Sequence, residues 1–262
     1  MKTELKELTL IFTVRIDSPE RFDNVMATLR YYCQVTDSPA ILLEADSSPR
    51  LKAIMNSEFP TIDYIFVKDD EPVFHRTHFI NEELRRVNTP LAAIIDSDII
   101  VPIDQLISAY EMLQADDRLI MVLPYDGRAI DHDRYISDIF RRTIDPESLT
   151  ALHGNRFLMF GFRSVGGAFM VNVDRYKSVG WENEHFPGWG PEDFEREHRL
   201  DILGHKPARI KGVIHHLNHS RGINSSNSYN PLILSTKREY CKICSMMSNE
   251  LRQYIASWPW IH

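Results

Sequence analysis

Residues 91–102, with the sequence LAAIIDSDIIVP, constrain the fold more than any other stretch of the chain. Five apolar residues lead directly into Asp96 and Asp98, which flank Ser97, and a second apolar run follows. An uninterrupted apolar run bounded by a turn signal is typical of a central strand in an α/β sheet, because both faces of such a strand are covered. We therefore expect both aspartates at the carboxyl end of a buried strand, where open α/β sheets collect their ligands.

The i, i+2 spacing of the two carboxylates gives them a shared chemistry. With only a small serine between them, both can reach a hard divalent cation that carries substrate phosphates. The same acid-small-acid pattern also occurs in solvated turns that follow a strand. The spacing alone leaves both interpretations open.

Strand-like and helix-like segments alternate along the rest of the chain. The other predicted strands are residues 8–14, 40–45, 62–67, 119–123, 165–173 and 207–216. The predicted helices begin at Pro19, within 74–81, at an N-cap Asp104 and at Pro191, and a terminal helix spans 231–256. This alternation predicts an α/β fold with a mainly parallel central sheet and helices on both faces.

Residues 125–160 lose this periodicity and accumulate Arg, Asp and His. A segment of such length is often a lid or a binding element over the active-site face, and we expect an excursion there. A poorly ordered surface insertion is the alternative. Since no repeat, low-complexity tract or flexible linker divides the chain, we expect residues 1–262 to form one domain.

Composition excludes several function classes. The formal net charge is −7 without a Lys/Arg-rich block, which disfavours a nucleic-acid partner because phosphate contacts require a basic face. Cys33, Cys241 and Cys244 make an odd set without a disulfide framework, and we interpret them as incidental thiols. The start lacks a signal-peptide pattern and no apolar segment reaches about 18 residues. We expect a cytoplasmic protein without a transmembrane segment, and peripheral membrane association stays open.

A second candidate site is the sequence GWGPED, residues 188–193. Two acids in the first turn of a helix are favoured by the helix dipole, by about 0.3–1 kcal/mol, so helix stabilisation is a sufficient explanation for Glu192 and Asp193. Trp189, however, stands between two glycines beside these acids. An indole face packs on the apolar side of a pyranose ring while carboxylates accept hydroxyl hydrogen bonds, which favours sugar recognition.

A third candidate site follows the last predicted strand, where His216 and His219 are three residues apart. Imidazoles at this spacing can converge on a metal ion, although such pairs also occur as surface polar residues. A mixed set of carboxylate and imidazole ligands suits manganese better than a tight zinc site. Zinc stays open.

Together these stretches resemble a known family. Four motifs occur in one order: Phe74-x-Arg76-x-x-x-x-Asn81, Asp96-Ser97-Asp98, Gly188-Trp189-Gly190-x-Glu192-Asp193 and His216-x-x-His219-Ser220-Arg221. Their order is similar to that of GT-A fold glycosyltransferases, most closely the galactosyltransferase and N-acetylgalactosaminyltransferase group, including bacterial chondroitin-type polymerases. The resemblance extends from the first strand to about Arg221. It departs at Pro191, where many relatives have Gly, and at His216, where some have Met.

The resemblance implies a UDP-sugar donor, a Mn²⁺ or Mg²⁺ ion and a carbohydrate acceptor. Residues 1–124 would form a nucleotide-binding half, 125–230 an acceptor and catalytic half, and 231–262 a terminal helix. Asp98, His216 and His219 would bind the metal, Glu192 would bind hydroxyls, and Asp193 would be the catalytic base. Gly166 and Gly167 would line the sugar, and Trp189 would pack on it. The residues implied for the nucleotide are Thr13, Val14, Arg15, Asp46, Phe74, Arg76, Asp96 and Ser97.

The reaction independently requires these groups. Displacing a nucleoside diphosphate from an anomeric carbon needs a cation for the leaving group and a base for the attacking hydroxyl. Asp98 with the histidines meets the first need and Asp193 the second, and direct attack inverts the sugar configuration. A metal-dependent phosphohydrolase or nucleotidyltransferase with the same Asp/His set is the alternative, but it leaves GWGPED without a role. A non-catalytic binding module is a third interpretation, which Asp193 disfavours.

Overall fold

The computed structural model of the protein describes residues 2–151, 156–159, 161, 163–226 and 229–262. The strands are β1 (Leu8–Val14), β2 (Ala40–Asp46), β3 (Asp63–Lys68), β4 (Leu91–Ile95), β5 (Ile99–Ile100), β6 (Met121–Leu123), β7 (Arg128–His132), β8 (Arg156–Met159), β9 (Ala168–Asn172), β10 (Ala208–Arg209) and β11 (Val213–His216). The helices are α1 (Pro19–Val35), α2 (Lys52–Glu58), α3 (Arg76–Leu84), α4 (Ile103–Ala115), α5 (Arg134–Thr143), α6 (Ser148–Ala151), α7 (Val173–Ser178), α8 (Glu192–Ile202), α9 (Ile233–Cys244) and α10 (Ser248–Ala256).

In the described part of the chain, the larger sheet has the strand order β10-β6-β9-β4-β1-β2-β3. β1 runs parallel to both β2 and β4, and β2 runs parallel to β3, whereas β9 is antiparallel to β4 and β6. Every residue of β1 and β4 is buried, as expected for central strands covered on both faces. The prediction of an α/β fold with a mainly parallel central sheet is confirmed.

The smaller sheet has the order β5-β11-β7-β8 and is built largely from the segment whose periodicity fades. Where they are described, residues 125–160 are therefore neither a long irregular loop nor an unstructured insertion, since they contain β7, α5, α6 and β8. Residues 152–155 and 160 lie outside the described part. β7 has the burial pattern of a partly covered strand, which explains why no clear period marks it in the sequence.

Several predicted boundaries differ from the structure. The predicted strand 207–216 is two strands in different sheets, because the chain turns at Gly212 with a φ of +134°. Asp104 is not the N-cap of α4, since Pro102 holds that position and Asp104 lies in the first turn. The predicted strands 119–123 and 165–173 shorten to β6 and β9, and Val173 already begins α7.

The predicted terminal helix is interrupted between α9 and α10. A new helix start causes the break, because the Glu250 carboxylate accepts a hydrogen bond from the Met247 amide at 2.8 Å. By contrast, α8 begins directly after Pro191 and is followed by Gly204 with a φ of +87°, close to the prediction. In the described ranges we find no helix with the length and apolar character needed to span a membrane.

Candidate active site

A cavity of about 370 Å³ opens at the carboxyl ends of β1 and β4. Because parallel neighbouring strands end at the same sheet edge, residues far apart in sequence meet there. Every predicted site residue except Asp46 lines this cavity. These residues are Thr13, Val14, Arg15, Phe74, Arg76, Asp96, Ser97, Asp98, Gly166, Gly167, Trp189, Glu192, Asp193, His216 and His219.

The smaller sheet brings the histidines to the aspartates. β11 pairs antiparallel with β5, which places His216 opposite Ile99, the residue that follows Asp98. The Leu217 amide also donates a 2.8 Å hydrogen bond to the carbonyl of Asp98. The turn after β11 then places His219 beside the same carboxylate, with its Nε2 3.2 Å from Oδ2 of Asp98.

Asp98, His216 and His219 form a cluster with the donor set of a metal site. One ligand atom from each lies within 4.8 Å of those of the other two, and all three residues are buried. Nε2 of His216 is 3.8 Å from Oδ2 of Asp98, the same oxygen that faces His219. One carboxylate oxygen and two imidazole nitrogens at such short separations are a set of ligands that Mn²⁺ and related divalent ions accept.

The other nitrogen of each imidazole is already hydrogen bonded, which orients both rings. Nδ1 of His219 donates to the carbonyl of Ser220 at 2.7 Å, and Nδ1 of His216 lies 2.7 Å from Oδ1 of Asp131. These contacts through Nδ1 turn Nε2 of each ring toward the Asp98 carboxylate. Such a second hydrogen bond is the usual support of a metal-binding histidine. The residues present therefore fit a divalent metal ion.

Electrostatics favour a charged Asp98. Burial alone would raise its pKa, but the imidazoles of His216 and His219 and the guanidinium of Arg21 outweigh it, and the pKa lies well below its usual range. At Asp96 the balance differs, because burial raises the pKa although Arg76 forms an ion pair with this carboxylate.

The predicted nucleotide contacts differ in how they are held. The guanidinium of Arg15 lies 5.1 Å from the ring centroid of Phe74 and donates to the carbonyls of Ala45 and Glu71. Asp46 lies outside the cavity lining, because its buried carboxylate accepts hydrogen bonds from the backbone amides of Ile16 at 3.2 Å and of its neighbour Ser47 at 2.7 Å. Through its contact with Ile16, Asp46 supports the backbone that follows β1.

The start of α8 forms the opposite wall. Glu192 is buried and accepts a 2.9 Å hydrogen bond from the Gly190 amide. Burial and the adjacent Asp193 raise the pKa of Glu192 to about 8. Asp193 is more exposed, and its Oδ1 accepts a hydrogen bond from Nη1 of Arg196 at 3.0 Å. A Cβ on Gly166 would stand 2.0 Å from Oδ2 of Asp193, so the carboxylate requires glycine there.

Two supporting residues escaped the sequence analysis. Asp131 reaches His216 only because β7 pairs in parallel with β11, a contact that no local pattern indicates. Arg196, in contrast, follows Asp193 by three residues, and on a helix this spacing places two side chains on one face. That signal was present in the sequence of α8.

We compared the sequence and the structure with known proteins. No family model and no curated protein matches the sequence. Three solved structures illustrate the structural likeness, and all three share little sequence identity with the chain.

The first is glucosyl-3-phosphoglycerate synthase from Mycobacterium tuberculosis with Mn²⁺, UDP and phosphoglyceric acid, at 12% identity and a TM-score of 0.57, covering 90% of this chain and 79% of that one. The second is GalNAc-T7 with UDP, GalNAc and Mn²⁺, at 10% identity and a TM-score of 0.63, covering 97% of this chain and 50% of that one. The third is mannosyltransferase PcManGT from Pyrobaculum calidifontis with GDP-Man and Mn²⁺, at 16% identity and a TM-score of 0.51, covering 82% of this chain and 58% of that one. Together with the sheet topology, this likeness establishes that the chain has the GT-A fold.

Proposed function

We propose that the protein is a metal-dependent glycosyltransferase that moves a sugar from a UDP-sugar to a hydroxyl acceptor, such as a glycan, with inversion of configuration. One observation carries the proposal: a metal-ligand cluster and a carboxylate base line opposite walls of one cavity in a GT-A fold. The three similar structures carry Mn²⁺ with UDP or GDP-Man. The GWGPED and HxxH motifs resemble those of the galactosyltransferase and N-acetylgalactosaminyltransferase group.

The two walls of the cavity have separate tasks in this reaction. We call the side with Asp98, His216 and His219 the metal wall, and the side formed by the start of α8 the α8 wall. The three residues of the metal wall would hold Mn²⁺ or Mg²⁺, which neutralises the charge of a leaving diphosphate when bound. Thr13, Arg15 and Phe74 line the cavity at the end of β1 and before α3, where they would bind the nucleoside. We assign the fixed cation Arg76 to the donor phosphates, since its position does not depend on the metal.

Asp193 performs the proton transfer. Its Oδ2 accepts the proton of the acceptor hydroxyl while the oxygen attacks the anomeric carbon, and the bond to the diphosphate breaks. Trp189 lines the cavity next to α8, where its ring would pack on a sugar face. One base and one displacement give a product of inverted configuration. A phosphohydrolase would use the same metal ligands but leaves this wall without a task.

Calorimetry of UDP binding tests the metal wall. We expect chelation, or Asp98→Ala, to lower UDP affinity by about tenfold or more, because a ligand of the ion that carries the diphosphate is lost. Asp116→Ala is the matched control, since Asp116 pairs with Arg118 at the surface. Equal UDP affinity with and without manganese would contradict the proposal.

A transfer assay tests the reaction class. UDP-sugars with labelled sugar moieties are screened against a glycan array with manganese, and the anomeric configuration of the product is read by NMR. Transfer with inversion is expected. Hydrolysis of the nucleotide without transfer would favour the phosphohydrolase, and a retained configuration would reject the assignment of Asp193 as the base of a single displacement.

A further inference from the structure

Two arginines on α8 are fully buried, and each is paired with a buried glutamate. Nε and Nη2 of Arg196 donate to the two carboxylate oxygens of Glu182 at 2.8 and 2.7 Å. Nε of Arg199 donates to Glu195 at 2.8 Å. Such pairs are weak evidence of stabilisation, because removing both charges from water costs about as much as their attraction returns. Since the ion pairs themselves do not explain why two arginines are buried here, the other contacts of each guanidinium are the better guide to its role.

The remaining contacts of the two arginines differ. Nη2 of Arg199 donates to the carbonyl of Trp181 at 2.7 Å, and its Nη1 donates to the carbonyl of Val179. Arg199 thus fastens α8 to the loop after α7. Arg196 instead uses Nη1 to bind Oδ1 of Asp193 at 3.0 Å. Arg196 is the one of the two that contacts the cavity wall.

The position of Arg196 is fixed from several sides. Its Cζ lies 3.9 Å from the ring centroid of Phe169, on β9. Its partner Glu182 is 2% exposed and also accepts a hydrogen bond from the hydroxyl of Tyr176. A planar guanidinium held by a two-point contact and an aromatic face keeps its third nitrogen in one place.

The fixed guanidinium determines which oxygen of Asp193 is available. Oδ1 is occupied by Arg196, whereas Oδ2 points to the space beside Gly166, where a Cβ would stand only 2.0 Å away. Gly166 and Asp193 both line the cavity. Oδ2 is thereby the carboxylate oxygen of Asp193 that is presented to the cavity.

We propose that Arg196, held by Glu182, is a positioning residue that fixes the Asp193 carboxylate so that Oδ2 alone receives the acceptor proton. The inference rests on the proposed function, because it assigns Arg196 a role through the base of that reaction. Misplacing a reacting group by about 1 Å can cost on the order of 100-fold in rate. Loss of Arg196 therefore lowers kcat, while donor binding at the opposite wall stays intact.

The chain offers its own control. The variant pair Glu182→Gln with Arg196→Gln removes both charges of the first ion pair, and Glu195→Gln with Arg199→Gln removes those of the second. Steady-state kinetics are normalised to the folded fraction measured by circular dichroism. We expect the Glu182→Gln, Arg196→Gln double variant to lower kcat by about 10- to 100-fold at unchanged KM for the UDP-sugar. The kcat of the Glu195→Gln, Arg199→Gln double variant should stay within about threefold of the parent.

A single variant covers the case in which the double variant does not fold. Arg196→Lys keeps a cation for Glu182 but lacks the planar fork that binds Glu182 and Asp193 together. We expect its kcat to fall about tenfold, and Arg199→Lys serves as its control. Equal losses in the Arg196 and Arg199 variants, or parent kcat in the Arg196 variants, would overturn the inference.

A double-mutant cycle tests the contact without any substrate. Asp193→Ala and Arg196→Gln each remove this contact, and when both are made in the Glu182→Gln background they should be coupled by about two- to tenfold in the unfolding equilibrium constant. Additive effects would overturn the inference even if sugar transfer is found.

Absence of transfer by the parent overturns the proposed function and this inference together. Transfer that is lost in Asp193→Asn but intact in both Arg196 variants overturns the inference alone.

Discussion

The two walls of the cavity both contain buried acids, yet their environments act in opposite directions. On the metal wall, the pKa of Asp98 lies well below its usual range, although burial alone would raise it, because two imidazoles and Arg21 face this carboxylate. On the α8 wall, the pKa of Glu192 is raised to about 8 by burial and by Asp193. Burial is thus common to both walls, and neighbouring charge decides the outcome.

Because of this difference, one buried acid of the cavity is ionised at neutral pH and another is protonated. Asp98 stays ionised across the physiological range, which suits a ligand of a divalent cation. Glu192 keeps its proton near neutral pH and so removes a like charge from beside Asp193. The second wall thus has a protonated Glu192 next to the carboxylate that Arg196 contacts.

The largest expected effect separates the two walls by activity. Asp193→Asn retains the shape of the side chain and can still accept the hydrogen bond from Arg196, but an amide cannot take a proton. General bases contribute on the order of 10²- to 10⁴-fold, so we expect kcat for sugar transfer to fall at least 100-fold. UDP binding with manganese should stay at the parent level because the metal wall is untouched.

Asp201→Asn, on an exposed position at the far end of α8, is the control and should behave as the parent. Transfer by Asp193→Asn at the parent rate would leave Asp193 with a structural role in the helix start. Glu192 would then be the next candidate for the base.

On both walls the sequence predicts the acids that face the cavity, but not the residues that hold them in place. Asp96 and Asp98 follow an unbroken apolar run, and Asp193 follows Pro191 at a helix start, so local patterns place all three. The alternation of such segments predicts the α/β class, and the resemblance of the four ordered motifs to a known family implies the GT-A fold. These features depend on residues near one another in the chain, which is why they are predictable.

The supporting contacts depend on strand pairing that no local pattern encodes. β7 carries Asp131 to His216 through a parallel pairing of strands separated by about 85 residues. β8 has two exposed apolar residues, Phe157 and Leu158, so its sequence lacks the alternation of a half-buried strand. Likewise, Glu182 reaches Arg196 across 14 residues, from the loop after α7. Tertiary packing, rather than propensity, determines these contacts.

The next largest effect tests the support of the metal wall. Asp131→Ala removes the carboxylate that orients His216 through Nδ1, at 2.7 Å. Loss of such a partner typically costs about 10- to 100-fold in metal affinity, and we expect this range for Mn²⁺ measured by calorimetry without nucleotide. Asp117→Ala is the control, since that acid is exposed and pairs with Arg175. Unchanged Mn²⁺ affinity would show that His216 needs no carboxylate to orient it.

The smallest effect concerns the raised pKa of Glu192. Its pKa is about 8 in the folded chain against 4.5 for an ordinary glutamate, so between about pH 5 and 8 the folded chain keeps a proton that the unfolded chain has lost. The free energy of unfolding must then fall as pH rises through this window and level off above it. Glu192→Gln has no proton to lose, so its melting temperature relative to the parent should rise by a few degrees from pH 5 to 8. Thermal melts across pH 5–9 measure this difference, with the exposed Glu147→Gln as the control. A difference that stays constant over this range would mean that Glu192 ionises like an exposed acid, and neighbouring charge would then no longer distinguish the two walls.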